Sequence, residues 1–304
     1  MKKVFISIIN FNGEKNTLEC LRSIDNLNMT GIDLNVVVID NASKEKLNLK
    51  ENFLQNASLK IILNEKNLGF SEGHNLGIKY ALSNNADYII ILNNDTILDK
   101  NLVYELLNAF DKDSKIGIVS PKIYFAKGYE FHKDRYKNED TGNVLWYAGG
   151  DMDWNNVLGK HRGVDEVDKG QFDVEKETDF SSGCCMGIKK EVFEKIGFLN
   201  KKYFLYYEDN DYSQRVKRAG YKVIYTPKAV LWHKNAGSVG GSGSNLQDYY
   251  ITRNRLLFGM TYASLKTKFA LFKESIKFLL NGRKWQKKGV LDFYLRKFGK
   301  GGYK

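Results

Sequence analysis

Short apolar runs that stop at asparagine or aspartate, alternating with helical segments, constrain this chain more than any other feature of its first 95 residues. The clearest is Tyr88 to Leu92, β-branched at Ile89, Ile90 and Ile91 and too short for a helix, which reads as a strand buried on both faces. It stops at Asn93, Asn94 and Asp95. Residues 4–9, 34–40 and 59–63 repeat the pattern, with helices predicted over 15–26 and 71–83. Alternation of this kind calls for an α/β fold with a mostly parallel sheet and right-handed crossovers. Every run ends in polar residues: Asn10 and Asn12, Asp40 and Asn41, Asn64 and Asn67, then Asn93 to Asp95. Ligands of open α/β sheets lie beyond the carboxyl ends of the strands, so these side chains form a polar rim where a nucleotide would lie.

Composition narrows the class. With 304 residues, 42% of them hydrophobic, the chain has enough material for a large core. Cys20, Cys184 and Cys185 are too few and too irregular for a disulfide framework, which favours a reducing compartment. The apolar start at 4–9 is too brief for a secretory leader, and no uninterrupted apolar stretch approaches the roughly 18 residues of a membrane span. These features predict a soluble or peripheral protein. Charge is concentrated at one end. Residues 266–304 carry 12 Lys and Arg against Glu274 and Asp292, which leaves little of the chain's formal +11 to the rest.

Three further stretches carry chemistry. Asn67 to Asn75 leads into the second helix with Ser71 as its expected N-cap, and Gly69 and Gly73 permit backbone approach where free N–H groups favour an anion. After a helix over 101–110 and a strand over 116–119, residues 127–170 are irregular, with short antiparallel strands expected at 144–147 and 172–179. The small residues of 181–187 suit a strand beneath a ligand, ahead of a short helix at 189–196. Glu208, Asp209 and Asp211 sit at the mouth of the next helix, behind the aromatic residues Phe204, Tyr206 and Tyr207. Acid there suits the helix dipole, and aromatic neighbours would desolvate one carboxylate and raise it toward general-base duty. A strand at 221–225 leads through Pro227 to His233, placed to ligate a metal.

The order and spacing of Val-Ile-Asp-Asn at 38–41, Asn-x-Gly-Phe at 67–70, Asn-Asn-Asp at 93–95, Gly-Cys-Cys-Met at 183–186, Glu-Asp-x-Asp at 208–211, His-x-x-x-Gly-Ser at 233–238 and Arg-Asn-Arg at 253–255 resemble family 2 glycosyltransferases. The similarity is greatest to rhamnosyltransferase-like enzymes of bacterial surface polysaccharide assembly, and covers roughly residues 3–260. It implies a GT-A fold, a nucleotide-diphosphate sugar donor carrying dTDP or UDP, Mg²⁺ or Mn²⁺, and inversion at the anomeric carbon. Carried over residue by residue, Asn10, Asn12, Asp40, Asn67, Gly69, Gly73 and Asn94 contact the nucleotide, Asp95 and His233 the metal, and Asp209 is the base. Glu208 and Asp211 face the acceptor, while Arg253 and Arg255 clamp the diphosphate after a loop at 237–244. Asn93 stands where the family has its first aspartate, removing one charge from the metal site.

The expected organisation is a domain over 1–260, divided near residue 120 into nucleotide-sugar and acceptor halves, followed by a basic amphipathic helical tail over 261–304. Leu265, Phe269, Phe272, Ile276 and Leu279 recur there at helical spacing among lysines, a pattern suited either to anionic lipid headgroups or to a helix packed on the domain. A lipid-linked saccharide acceptor and a peripheral place on the cytoplasmic face of the plasma membrane follow from the first reading. No nucleic-acid-binding motif appears. Two alternatives stay open: a sugar-1-phosphate nucleotidyltransferase, for which the segment after the first strand lacks the glycine- and arginine-rich loop, and a nucleotide-sugar-binding protein without turnover.

Overall fold

The computed structural model describes residues 1–50, 52–235 and 243–303. The valine and isoleucine runs form β1 (Lys2–Asn10), β2 (Ile32–Asp40), β3 (Ser58–Leu63) and β4 (Tyr88–Asn93), joined through α1 (Glu14–Ile24) and α2 (Gly69–Ser83). The chain continues as β5 (Thr96–Leu98), α3 (Leu102–Asp111), β6 (Ile116–Phe125), β7 (Leu145–Tyr147), β8 (Gly150–Asp153), β9 (Leu158–His161) and β10 (Lys176–Glu177). Then come β11 (Cys185–Lys189), α4 (Lys190–Ile196), α5 (Glu208–Arg218), β12 (Lys222–His233), α6 (Asn245–Tyr262), α7 (Leu265–Asn281) and α8 (Lys284–Tyr294).

The main sheet runs β10-β12-β6-β11-β4-β1-β2-β3. β3, β2, β1 and β4 are parallel, as are β6 and β12, and β11 is antiparallel between β4 and β6. Period-two alternation sends side chains of one strand into two cores. Ile90 and Leu92 join Leu21, Ile24 and Leu106 on one face, while Ile89 and Ile91 join Ile78, Phe193 and Val216 on the other.

Several elements differ from the sequence-based expectation. Ser71 does not cap α2: the helix begins at Gly69 behind Leu68, and Ser71 lies buried inside it. Only residues 176–177 of the strand expected at 172–179 pair. β12 does not end at residue 225, because a register shift between Thr226 and Val230 absorbs Pro227, which cannot donate to the ladder. The C-terminal helices pack on α6 through buried Leu271, Val290 and Asp292, and the chain end returns to form a bridge between Tyr203 and Gly299. Residue 260, the expected domain boundary, falls within α6. Among the described residues, no helix is long and apolar enough to cross a membrane.

Candidate active site

The polar strand ends come together because the strands stop in register: Asn10 lies beside Asp40, Ile9 beside Asn93, and Asp40 beside Leu63. Asp40 is buried and accepts from Asn10 Nδ2 at 3.0 Å, Ser43 N at 2.8 Å and Leu47 N at 2.9 Å. It therefore shapes the 41–47 loop, with one of its roughly four lone-pair sites left over. Asn10 Oδ1 in turn accepts from Thr17 Oγ1 at 2.9 Å, and Thr17 Oγ1 accepts from Asn94 Nδ2 at 2.9 Å. Asn12 adopts a left-handed φ of 53° and accepts from Lys44 N at 2.8 Å. Asn10 and Asn12, held by these partners, wall a cleft of about 340 Å³ lined also by Gly13, Glu14, Lys44 and Glu45, a size that suits a small ligand.

Asn67 and Gly69 border the same edge through Asn41, a member of the polar rim to which the sequence assigned no contact of its own. Asn41 Nδ2 donates to Asn67 Oδ1 at 3.0 Å and to Gly69 O at 3.1 Å, and its Oδ1 accepts from Leu68 N at 3.0 Å. The two glycines serve packing. Gly69 has φ of +75°, and a Cβ there would stand 2.4 Å from Phe204 O; at Gly73 it would meet Ile9 Cδ1 at 2.8 Å.

Asp95 and His233 meet where β4 ends and β12 closes, with Oδ1 and Nε2 3.1 Å apart. The His233 ring sits edge-on to Trp146, 4.6 Å between centroids, and His161 packs against the same indole at 4.5 Å. Burial lowers His161 to about 4, so it stays neutral at neutral pH. A carboxylate oxygen and an imidazole nitrogen about 3 Å apart match neighbouring ligands on a six-coordinate ion with bonds of about 2.1 Å. The donor set is short: among the described residues no three His, Cys, Asp or Glu converge on one point. Such an ion would take its other ligands from phosphate and water, as Mg²⁺ commonly does.

Asp209 opens α5 and faces the sheet edge. Its Oδ2 accepts from Gly183 N at 3.0 Å, and its Oδ1 from Asn210 N at 2.7 Å and Asn210 Nδ2 at 2.9 Å. The neighbouring Cys184 carbonyl accepts from Asn93 N at 2.9 Å, so Gly183 and Cys184 tie Asp209 to the rim of β4. Burial raises the Asp209 carboxyl above its ordinary value and outweighs these hydrogen bonds. Glu208 is buried, is raised well above its ordinary value by burial and then by Asp209, and leaves Oε2 without a hydrogen-bond partner among the described residues.

The turn that presents this pair is strained: Tyr206 and Tyr207 have φ of 68° and 72°. Asn254, on α6, grips it by donating to Leu205 O at 2.8 Å and Tyr206 O at 2.9 Å. From the other side Phe70 N donates to Phe204 O at 2.7 Å.

Three expected ligand contacts take other partners. Arg253 is buried between Tyr249 and Tyr250 and donates to Asn254 Oδ1 at 3.0 Å, Lys297 O at 3.2 Å and Lys202 O at 3.4 Å, so it fastens the chain end instead of presenting a clamp. Arg255 bonds Asn156 O at 2.7 Å and Glu274 at 2.9 Å. Asp211 accepts from the Tyr262 hydroxyl at 2.8 Å, which turns it toward the end of α6 and away from an acceptor role. Of the loop expected at 237–244, residues 237–242 lie outside the described residues.

The sequence profile of glycosyl transferase family 2 matches residues 5–197, more than half of the chain. The chain belongs to that family. It is similar to the low-salt glycan biosynthesis hexosyltransferase Agl10 of Haloferax volcanii, 27% identical over 222 residues, covering 73% of this chain and 66% of that protein. The dTDP-rhamnosyl transferase RfbF of Shigella flexneri is 26% identical over 232 residues, covering 73% and 69%. Among solved structures, GalNAc-T7 with UDP, GalNAc and Mn²⁺ has a TM-score of 0.58 at 18% identity, covering 91% of this chain and 57% of its own. Staphylococcus aureus TarS 1–349 with UDP-GlcNAc has a TM-score of 0.58 at 15% identity, covering 96% and 79%. These likenesses establish the GT-A fold of this family 2 chain. It spans just under two thirds of the length of the Haloferax relative.

Thr17, Asn41, Ser43, Trp146, His161, Gly183 and Asn254 also shape the site of this family 2 chain. Asn41 and Gly183 already stood in the polar rim and in the Gly-Cys-Cys-Met stretch, and Asn254 was within reach between two arginines singled out; Thr17, Ser43, Trp146 and His161 carry no signal until the strands are paired.

Proposed function

We propose that the chain is an inverting glycosyltransferase that moves rhamnose or another hexose from a dTDP- or UDP-linked donor to a saccharide hydroxyl. Its acceptor is lipid-linked, and it works at the cytoplasmic face of the plasma membrane in cell-surface polysaccharide assembly. The observation that carries this reading is Asp209, a carboxylate with a raised pKa fastened through Gly183 and Cys184 to the end of β4, directly ahead of Asn94 and Asp95. A carboxylate so placed serves a proton transfer beside a bound nucleotide.

The nucleoside would lie in the cleft beside Asn10 and Asn12, with Asp40 and Asn94 holding that wall in shape. Asp209 would accept the proton of the acceptor hydroxyl as its oxygen bonds to the anomeric carbon and the carbon–phosphate oxygen bond breaks on the opposite face. Asp95 and His233 would hold Mg²⁺ or Mn²⁺, which supplies positive charge against the departing diphosphate. Burial raises the Glu208 carboxyl and favours its neutral form, which works against a second negative charge beside the base.

A donor panel of dTDP-rhamnose and UDP-hexoses, scored for nucleoside diphosphate release with and without saccharide acceptor, tests the proposal. Release should require acceptor and fall about 10²–10⁴-fold in Asp209→Asn, with donor binding kept. Wild-type turnover in that variant would refute the base. Donor binding without acceptor-dependent turnover would favour the non-catalytic alternative.

A further inference from the structure

α7 has a buried face and, on another side, an exposed apolar one. Thr267, Leu271 and Ser275 are buried on the side packed against α6 and α8. On another side Leu265 is 84% exposed, Phe269 60%, Phe272 44%, Ile276 42% and Leu280 68%. At 3.6 residues per turn these five positions fall in one narrow stripe along four turns, which a monomer in water has no reason to keep apolar. Lys266, Lys273 and Lys277 line one border of the stripe and Lys268 the other.

The carboxylates of the basic region point elsewhere. Glu274 pairs with Arg255 at 2.9 Å, and Asp292, fully buried, pairs with Lys288 at 2.9 Å. Acid is therefore withdrawn from the outer face and the lysines that border the stripe are left to dominate it. Apolar side chains in a plane with ammonium groups at the margins complement a bilayer surface: hydrocarbon beneath, anionic headgroups at the level of the lysines.

We propose that this stripe is the membrane-docking surface of the protein, with an anionic lipid bilayer as its partner and α7 lying in the interface plane. The surface is one face of a folded helix; the opposite face of α7 and the chain end belong to the scaffold of the site. The stripe begins three residues after Tyr262, whose hydroxyl holds Asp211, so docking would bring the mouth of α5 close to the headgroups. The inference rests on the reading of a lipid-linked acceptor, yet binding and transfer are measured separately and either can fail alone.

The full chain is sedimented with vesicles of phosphatidylcholine, with and without phosphatidylglycerol, at low and high salt. Binding should require phosphatidylglycerol and weaken with salt. Joint replacement Lys266→Glu, Lys273→Glu and Lys277→Glu should weaken it by roughly a hundredfold or more. Joint replacement Phe269→Ser, Phe272→Ser and Ile276→Ser should weaken it at least about tenfold. Both variants should keep the wild-type thermal midpoint and transfer to a water-soluble acceptor, because every replaced side chain is exposed. Failure of the wild type to bind at low salt, or undiminished binding by either variant, would overturn the proposal. So would a dimer in sedimentation velocity that the serine variant dissolves while vesicle binding is absent, since the stripe would then serve a second copy of the chain.

Discussion

At Asp209, burial pushes the carboxyl above its ordinary value of 3.8 while the amides of Gly183 and Asn210 hold it back. A base must be ionised to work, so transfer should rise with pH through that raised pKa, and the acid limb of kcat/KM should lie above the ordinary carboxylate range. A limb at or below 3.8 would show that hydrogen bonding prevails. Glu208 titrates with a different consequence. Its folded pKa is raised well above 4.5, so the native state holds that proton more tightly than the unfolded chain does. The resulting stability is fully present below 4.5 and is lost as pH rises through the folded pKa. Glu208→Gln cannot ionise, so paired thermal melts from acid to neutral pH should show the wild type losing ground to the variant as pH rises. Parallel curves would mean that the carboxyl is solvated.

At the scale of elements, the site depends on a turn held from two sides, by the start of α2 and by α6. Gly69→Ala would force a side chain into a left-handed backbone and against Phe204 O, costing about 1–2 kcal/mol for the conformation alone. It should also lower kcat by shifting the turn that carries Asp209. Urea unfolding and steady-state kinetics on the same preparation check both effects, and a stable, fully active variant would show that the turn does not need this buttress. Asn254→Ala would leave the carbonyls of Leu205 and Tyr206 without their donor, at about 1–3 kcal/mol for a stranded buried group. Because Asn254 touches the turn and not the rim, kcat should fall with the donor KM little changed. A rise in KM alone would place Asn254 at the donor instead.

For the whole molecule, the C-terminal region is scaffold on one side and stripe on the other. Gly299 N donates to Lys202 O at 2.9 Å, Tyr250 donates to Lys300 O at 3.0 Å, and Lys297 O accepts from the buried Arg253. Ending the chain at residue 295 removes one acceptor of that guanidinium, Lys297 O, together with the Gly299 and Lys300 contacts, and frees the segment ahead of Asp209. Loss of roughly 3 kcal/mol or more and of transfer activity is expected, read by thermal melts and by the donor assay. An unchanged midpoint would mark the last residues as a detachable appendage.

What the sequence determined by itself is local: the short continuous apolar runs of β1 to β4, the helices between them, the polar residue at each strand end, and the crowding of acid at the start of α5. Residues adjacent along the chain settle these features, so they were legible without partners. Antiparallel β11 between parallel neighbours, and β12 continuing past Pro227, were decided by strands far away in sequence. The same holds for the arginines. A guanidinium that clamps a phosphate and one that ties down a chain end look alike in sequence, and only the folded arrangement of Lys202, Tyr249, Tyr250 and Lys297 around Arg253 distinguishes them. In the tail, helical spacing showed that apolar residues recur, but it was the packing of α7 on α6 and α8 that decided which of them are buried and which meet the solvent.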